Sequence, residues 1–356
     1  MHLTSSYLVS PCLLARLTIA LLLGVIGCGS MPANSPTPSM PSSNSATGSN
    51  AATGPILGYA WDQKAAGLRP VLGVPGAAQF GTPIYGGASY NSALACIGGK
   101  YVLLTNSSGQ ASLAPLPQGV PVQIADHLSA KEQIAISPSC SAAVFYAPGF
   151  STATLVLGLP TAPKAQTLDL SQAGLVTTAI VSDSGLVLAG SGQATGGTNV
   201  TAVSPDGTAT QVTTVAGLGG MAFLPSSQNA LIGDAGRSTV WLASNLPASI
   251  SVSRVATAAD GVAQPTAIAS SSDGRWLIVA NQKGAILRLD LTRRSAPAVV
   301  TCSSCTSMKL IPLSGNSSFL LSDLTSGPIW TFDGDSPSPR VVFIPAIKSS
   351  STAGVK

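Results

Sequence analysis

Between residues 93 and 321 the chain repeats one pattern six times. The cleanest copy begins Pro265-Thr-Ala-Ile-Ala-Ser270, turns at Asp273-Gly274 and returns as Trp276-Leu-Ile-Val-Ala-Asn281. Gly284-Ala-Ile-Leu-Arg-Leu-Asp290 and Ala298-Val-Val-Thr301 complete it. An Asp-Gly pair between apolar runs is a hairpin signal, because the tight turn needs residues that tolerate positive φ. Looser copies keep the order. Ala93-Leu-Ala-Cys96 precedes Tyr101-Val-Leu-Leu104, Ile134-Ala-Ile136 precedes Ala142-Ala-Val-Phe-Tyr146, and Thr178-Ala-Ile-Val181 precedes Leu186-Val-Leu188. Met221-Ala-Phe-Leu224 leads into Ala230-Leu-Ile232, and Met308-Lys-Leu-Ile311 into Phe319-Leu-Leu321. The second runs start at 101, 142, 186, 230, 276 and 319, in steps of 41, 44, 44, 46 and 43 residues.

A four-strand unit recurring every ~40–45 residues has the period of a β-propeller blade. No segment carries a capped, 3.6-residue periodicity, which disfavours alternating strands and helices. The expectation is an all-β, six- or seven-bladed β-propeller over residues 55–346. Seven blades are favoured, since that span divided by seven is about 42 residues. Gly54-Pro-Ile-Leu-Gly-Tyr-Ala-Trp-Asp62 followed by Arg69-Pro-Val-Leu72 parallels Gly327-Pro-Ile-Trp-Thr-Phe-Asp333 followed by Arg340-Val-Val-Phe343. The N-terminal hairpin therefore reads as the outer half of a blade at the ring's closure, which an exposed sheet edge makes necessary. The copy from Thr266 to Asp290 resembles the YVTN-type and WD-like propeller repeats of bacterial envelope proteins. That resemblance implies a fold and leaves activity open.

Ahead of the repeats, Arg16 precedes the apolar run Leu17 to Ile26, which ends at Gly27-Cys28. This ten-residue run, largely apolar, falls short of the ~20 residues needed to span a bilayer, and the layout is that of an export signal. Val25-Ile-Gly-Cys28 resembles the lipobox of bacterial lipoproteins. The resemblance implies cleavage after residue 27, lipidation of Cys28 and, with Gly29 following, delivery to the outer membrane of a Gram-negative cell. Residues 28–54, rich in Ser, Pro, Asn and Thr, read as the lipidated cysteine and a flexible tether. Residues 347–356 read as a frayed C-terminal tail.

Only 8% of the residues are charged and 5% aromatic. A membrane β-barrel wants aromatic girdles that this composition does not supply. The formal charge of +4 is spread singly, Arg293-Arg294 being the one adjacent basic pair, so no nucleic-acid surface is expected. In an oxidising compartment Cys96, Cys140, Cys302 and Cys305 allow three pairings. Cys302-Ser-Ser-Cys305 could be a redox motif or half a zinc site, but a thioredoxin-like context and further ligands are missing, which leaves a local disulfide as the reading. Cys96 with Cys140 is then the second pair.

No catalytic constellation, metal site or cofactor motif stands out. Asp62, Asp169, Asp290 and Asp333 recur, as read here, at the ends of third strands, where Asp accepts hydrogen bonds from turn amides. His127 and Glu132 form a conceivable acid/base pair, yet both fall in the polar connection Asp126-His-Leu-Ser-Ala-Lys-Glu132. Trp61, Trp241, Trp276 and Trp330 sit in apolar strand patterns and are expected to pack between blades. The leading expectation is a non-enzymatic, envelope-anchored propeller binding a protein or glycan partner, its oligomeric state open. The alternatives are a lactonase-like hydrolase with a channel-mouth site and an outer-membrane assembly factor.

Overall fold

A computed structural model describes residues 54–346 apart from 88, 129–131, 194–195, 294, 306–307 and 325–327. Residues 1–53 and 347–356, which hold the expected export signal, Cys28, nearly all of the expected tether and the expected tail, lie outside the described residues. The body is a seven-bladed β-propeller. Six antiparallel four-stranded sheets follow one another along the chain, preceded by a sheet of three strands. We number the blades 1 to 7 from the N-terminus, spanning residues 56–80, 92–125, 133–169, 176–215, 218–256, 265–301 and 311–344. Helical structure among the described residues is confined to two 3-10 turns, Ser171–Ala173 and Ala258–Asp260.

The apolar runs seen in the sequence are the second strands: Tyr101–Thr105, Ala142–Tyr146, Val187–Gly192, Ala230–Asp234, Trp276–Asn281 and Ser318–Leu320. Each is buried on both faces, because blades pack face to face around the ring. Alternate side chains then serve opposite neighbours. In Trp276–Asn281, Leu277 and Val279 join the cluster shared with blade 5, whereas Ile278 and Ala280 join that shared with blade 7. The hydrophobic core is accordingly seven clusters, one at each junction between consecutive blades. The seventh junction closes the ring: Ala60, Val71 and Ala78 of blade 1 pack with Leu313, Leu320, Ile329 and Ile344 of blade 7.

Blade 1 has the strands Ile56–Asp62, Gly67–Val74 and Ala77–Phe80. Its likeness to the end of blade 7 is real in detail, since Asp62 pairs with Arg69 at 2.7 Å and Asp333 with Arg340 at 3.0 Å. The position in the blade differs by one strand from the reading above. Ile56 and Leu57 lie against Ser314, in the first-to-second turn of blade 7, and Trp61 and Gln63 reach the opposite rim beside Lys309 and Asp323. Ile56–Asp62 therefore runs in the sense of a second strand. Its end, Asp62-Gln-Lys64, matches Asn281-Gln-Lys283 at the end of the second strand of blade 6. Blade 1 thus carries second, third and fourth strands and no first strand among the described residues.

Antiparallel connectivity gives the ring two unlike rims. One, the turn rim, collects the first-to-second and third-to-fourth turns; the other, the link rim, collects the second-to-third turns and the blade-to-blade links. On the turn rim, neighbouring blades are tied at six of the seven junctions. Ser139 N and Ser226 N donate to the Asp183 carboxylate at 2.8 and 3.3 Å, and Gln228 Nε2 donates to Ser184 Oγ at 2.6 Å. Asn316 Nδ2 donates to Asp273 Oδ2 at 2.8 Å, and Ser270 Oγ to the Phe223 carbonyl at 3.2 Å. Ser314 holds the Leu57 carbonyl across the closure. Between blades 2 and 3 the same place is filled by the Cys96–Cys140 disulfide, with Cα atoms 5.8 Å apart. Tyr101 Oη donates beside it to the Cys140 carbonyl at 2.6 Å, and burial pushes that phenol's pKa up.

Candidate functional site

Open space is found at the channel, at the link rim and beside the third-to-fourth turn of blade 6. A cavity of about 510 Å³ at the channel is lined by Tyr59, Trp61, Leu94, Ile134, Lys309 and Asp323, among others. Its floor is apolar and its mouth polar, with Gln63, Glu132 and Gln133 beside the Lys309–Asp323 ion pair. A cleft of about 360 Å³ between blades 2 and 3 holds Asp126, His127, Glu132 and Phe150. A third groove, of about 810 Å³, lies on the outer wall between blades 5 and 6, with Arg254 and Arg293 along it.

The structure brings His127 and Glu132 to one cleft but gives His127 little purchase. Its side chain is 92% exposed, with Nε2 3.7 Å from Asp126 Oδ2. Poised general bases are held by neighbours, and this imidazole is not. Close by, Phe150 and Leu175 are 53% and 64% exposed, and the residue after Leu175, Val176, bridges to Phe150. The link rim between blades 2 and 4 thus presents two large apolar side chains next to a polar cleft. Sequence reading missed this pair, since nothing in an isolated Phe or Leu distinguishes a rim position from a core one.

The recurring aspartates do not form a ring. Asp290 and Asp333 end third strands on the turn rim, whereas Asp62 ends a second strand and Asp169 a fourth, both on the link rim. The expectation that all four end third strands is corrected by the shifted register of blade 1 and by the fourth strand Lys164–Asp169. Their local role is as expected for three of them. Asp62 Oδ1 accepts from Lys64 N and Ala65 N, Asp169 Oδ1 from Ser171 N, and Asp290 Oδ1 from Thr292 N and Arg293 N. Asp333 instead receives Arg340. Arg275 donates twice to Asp290 Oδ2, at 2.9 and 2.8 Å, and together with the Thr292 hydroxyl holds that carboxyl well below the usual range. Burial raises the Asp62 pKa, but the Arg69 hydrogen bond and the turn amides outweigh it and the net shift is downward.

All four tryptophans are partly buried against inter-blade clusters. Trp276 lies between the guanidinium groups of Arg275 and Arg288, each 4.4 Å from the ring centroid. Trp241 lies under Arg254, and Trp330 meets Phe343 edge-on at 6.0 Å. Cys302 and Cys305 are joined, with Cα atoms 5.3 Å apart, in the link from blade 6 to blade 7. Among the described residues no three His, Cys, Asp or Glu side chains gather as a metal site.

These features define a seven-bladed propeller whose neighbouring blades are tied along the turn rim. No family model matches the chain, and no curated protein matches it. Solved structures do. A functionally unknown protein from Desulfotomaculum acetoxidans is similar at 14% identity and a TM-score of 0.57, over 82% of this chain and 95% of that one. Apo AztD from Citrobacter koseri is similar at 11% identity and a TM-score of 0.52, over 83% of each chain. Hsv2 from Kluyveromyces lactis follows at 11% and 0.50, over 83% of this chain and 99% of that one. Likeness at this identity establishes the fold alone.

Proposed function

We propose that the chain is an envelope lipoprotein: a non-enzymatic propeller tethered through Cys28 that binds an envelope partner, protein or glycan, on its link rim. The observation carrying this is the run from Arg16 to Cys28 followed by a Ser/Pro-rich spacer ahead of the propeller. The link rim offers Phe150 and Leu175 beside a polar cleft and the channel mouth as the surface for that partner. Exposed apolar side chains beside polar clefts suit a binding surface. The test is metabolic labelling with palmitate and cell fractionation. Label should enter the full chain, and Cys28→Ala should abolish it and release the protein from membranes; unchanged labelling in the variant would overturn the anchor. A photo-crosslinking residue at Phe150 should then give a discrete adduct in intact cells, where one at Asp206 on the turn rim gives none. Equal yields from both rims would overturn the assignment of the binding face.

A further inference from the structure

We infer that the channel cavity of about 510 Å³ binds an N-acetylated sugar, its acetamido group against the inner edge of Ile56–Asp62 and its hydroxyls at the mouth. This narrows the partner proposed above to a glycan; it rests on the link-rim reading and not on the anchor at Cys28. Strand pairing shows which groups face the cavity. Pro70 O accepts from Gly81 N at 2.8 Å, and Leu68 exchanges hydrogen bonds with Ile84 at 2.9 and 2.7 Å, so both residues spend their main-chain groups on the outer side. Tyr59 stands opposite Pro70, and Trp61 opposite Leu68. Opposite residues of an antiparallel pair exchange both hydrogen bonds or neither. The N–H and C=O groups of Tyr59 and Trp61 therefore point inward, to the edge along which the cavity runs, and no strand among the described residues pairs with them. Nearer the turn rim, Ser314 already holds the Leu57 carbonyl. The open stretch is thus only Tyr59 to Trp61, at the short limit for a strand, and a single amide can use it.

Edge, floor and mouth together select the chemistry. An acetamido group is a peptide-like amide, with one donor and an acceptor carbonyl, and pairs with an open strand edge as a strand amide does. Its methyl needs an apolar floor of modest side chains, and Ala93, Ala95, Ile134 and Ile311 line the cavity beside that edge. The mouth carries groups that take hydroxyls. The amides of Gln63 and Gln133 both donate and accept, and the Lys309–Asp323 pair is more than half exposed on both sides. An ammonium has three donors and a carboxylate about four acceptor sites, so their mutual bond leaves both able to meet further hydroxyls. The pair is neutral as a whole, which suits an uncharged ligand. Trp61 lines the same cavity half-buried, and an indole gives the flat apolar surface on which the C–H face of a pyranose stacks. The volume falls within the ~300–1,000 Å³ of small-molecule sites. A plain hexose would leave the strand edge and the floor unused, and a bare peptide would leave the mouth unused; an N-acetylated sugar uses all three.

Isothermal titration of the full-length Cys28→Ala chain with N,N′-diacetylchitobiose tests this, beside cellobiose, which has hydroxyls in place of the acetamido groups. Saturable binding is expected for the first sugar and binding at least about tenfold weaker for the second. Gln63→Ala/Asp323→Ala, at two exposed positions of the mouth, should also weaken binding at least about tenfold, whereas Arg254→Ala on the outer wall should bind as the parent does. Tryptophan emission should shift during the titration, and the shift should vanish in Trp61→Phe. Absence of saturable binding, equal affinity for the two sugars, or full affinity in the mouth variant would overturn the inference. So would binding of acetyl-tetraalanine amide but not of the sugar, which would assign the open edge to a peptide. A discrete adduct from Phe150 in cells alongside any of these results would strike the sugar and leave the link-rim reading standing, so the two fail separately.

Discussion

At the scale of single residues, this weakly charged chain spends its ionised groups on turns. Asp62, Asp290 and Asp333 each end a strand and each meet an arginine of the adjoining strand or of the turn leading into it, at 2.7 to 3.0 Å. Partly buried carboxylates of this kind contribute only while ionised. For Asp62, Asp273 and Asp290 the folded pKa lies below the ordinary value. Their contribution is therefore fully present above the unfolded-state value of about 3.9 and is lost as pH falls below it towards the folded value. Melting temperature should be insensitive to pH between about 5 and 7 on this account and should drop below about pH 4. Asp290→Asn should melt lower at neutral pH and lose less on acidification; parallel curves for the two proteins would show that the Arg275 contact is incidental. The pairing itself was only half legible. Asp before a turn could be read from the sequence, but the arginine opposite depends on strand register, and the register of blade 1 was displaced by one strand in the sequence reading.

At the scale of elements, the turns between first and second strands act as a belt. Cys96–Cys140 spans 44 residues, and the polar ties Ser139–Asp183, Asp183–Ser226 and Ser272–Asn316 span 44, 43 and 44. The disulfide is thus the covalent version of a tie made elsewhere by Ser, Asp and Asn, repeated at the blade period. Closing its loop restricts the unfolded chain by an amount worth about 3–4 kcal/mol in the entropy model, against roughly half that for the tight Cys302–Cys305 loop. Cys96→Ser/Cys140→Ser should lower the melting temperature by roughly 5–10 °C, more than the matching change at 302 and 305. A larger loss from the 302/305 pair, measured by calorimetry on oxidised protein, would contradict this ranking. Both pairings could be anticipated, Cys302 with Cys305 from their closeness in the chain and Cys96 with Cys140 because a propeller places equivalent turns one period apart. The polar ties could not, since any exposed serine in a turn looks the same before its neighbour is known.

At the scale of the whole molecule, the period of the repeat was enough to identify the fold, and the length of the span favoured seven blades over six without deciding the count. What the period could not show was how the ring ends. The closing blade is assembled from an N-terminal hairpin that departs from the repeat pattern: Tyr59 and Leu68 pack towards blade 2, and Ala60 and Val71 towards blade 7. The exposed pair on the link rim was equally hidden, because Phe150 and Leu175 differ from core residues only in where the ring places them. Two of the seven inter-blade clusters depend on residues 56–80, so the hairpin is part of the closure rather than an appendage. The most direct measurement is calorimetry and circular dichroism of the chain from Gly54 onward with and without residues 54–80. The intact chain should unfold in one cooperative transition with a β spectrum and negligible helix. The deleted chain should lose that transition or melt far lower, since its two newly exposed blade faces have nothing to pack against. An unchanged melting temperature would mean that six blades close by themselves, and the closed seven-bladed account would be wrong.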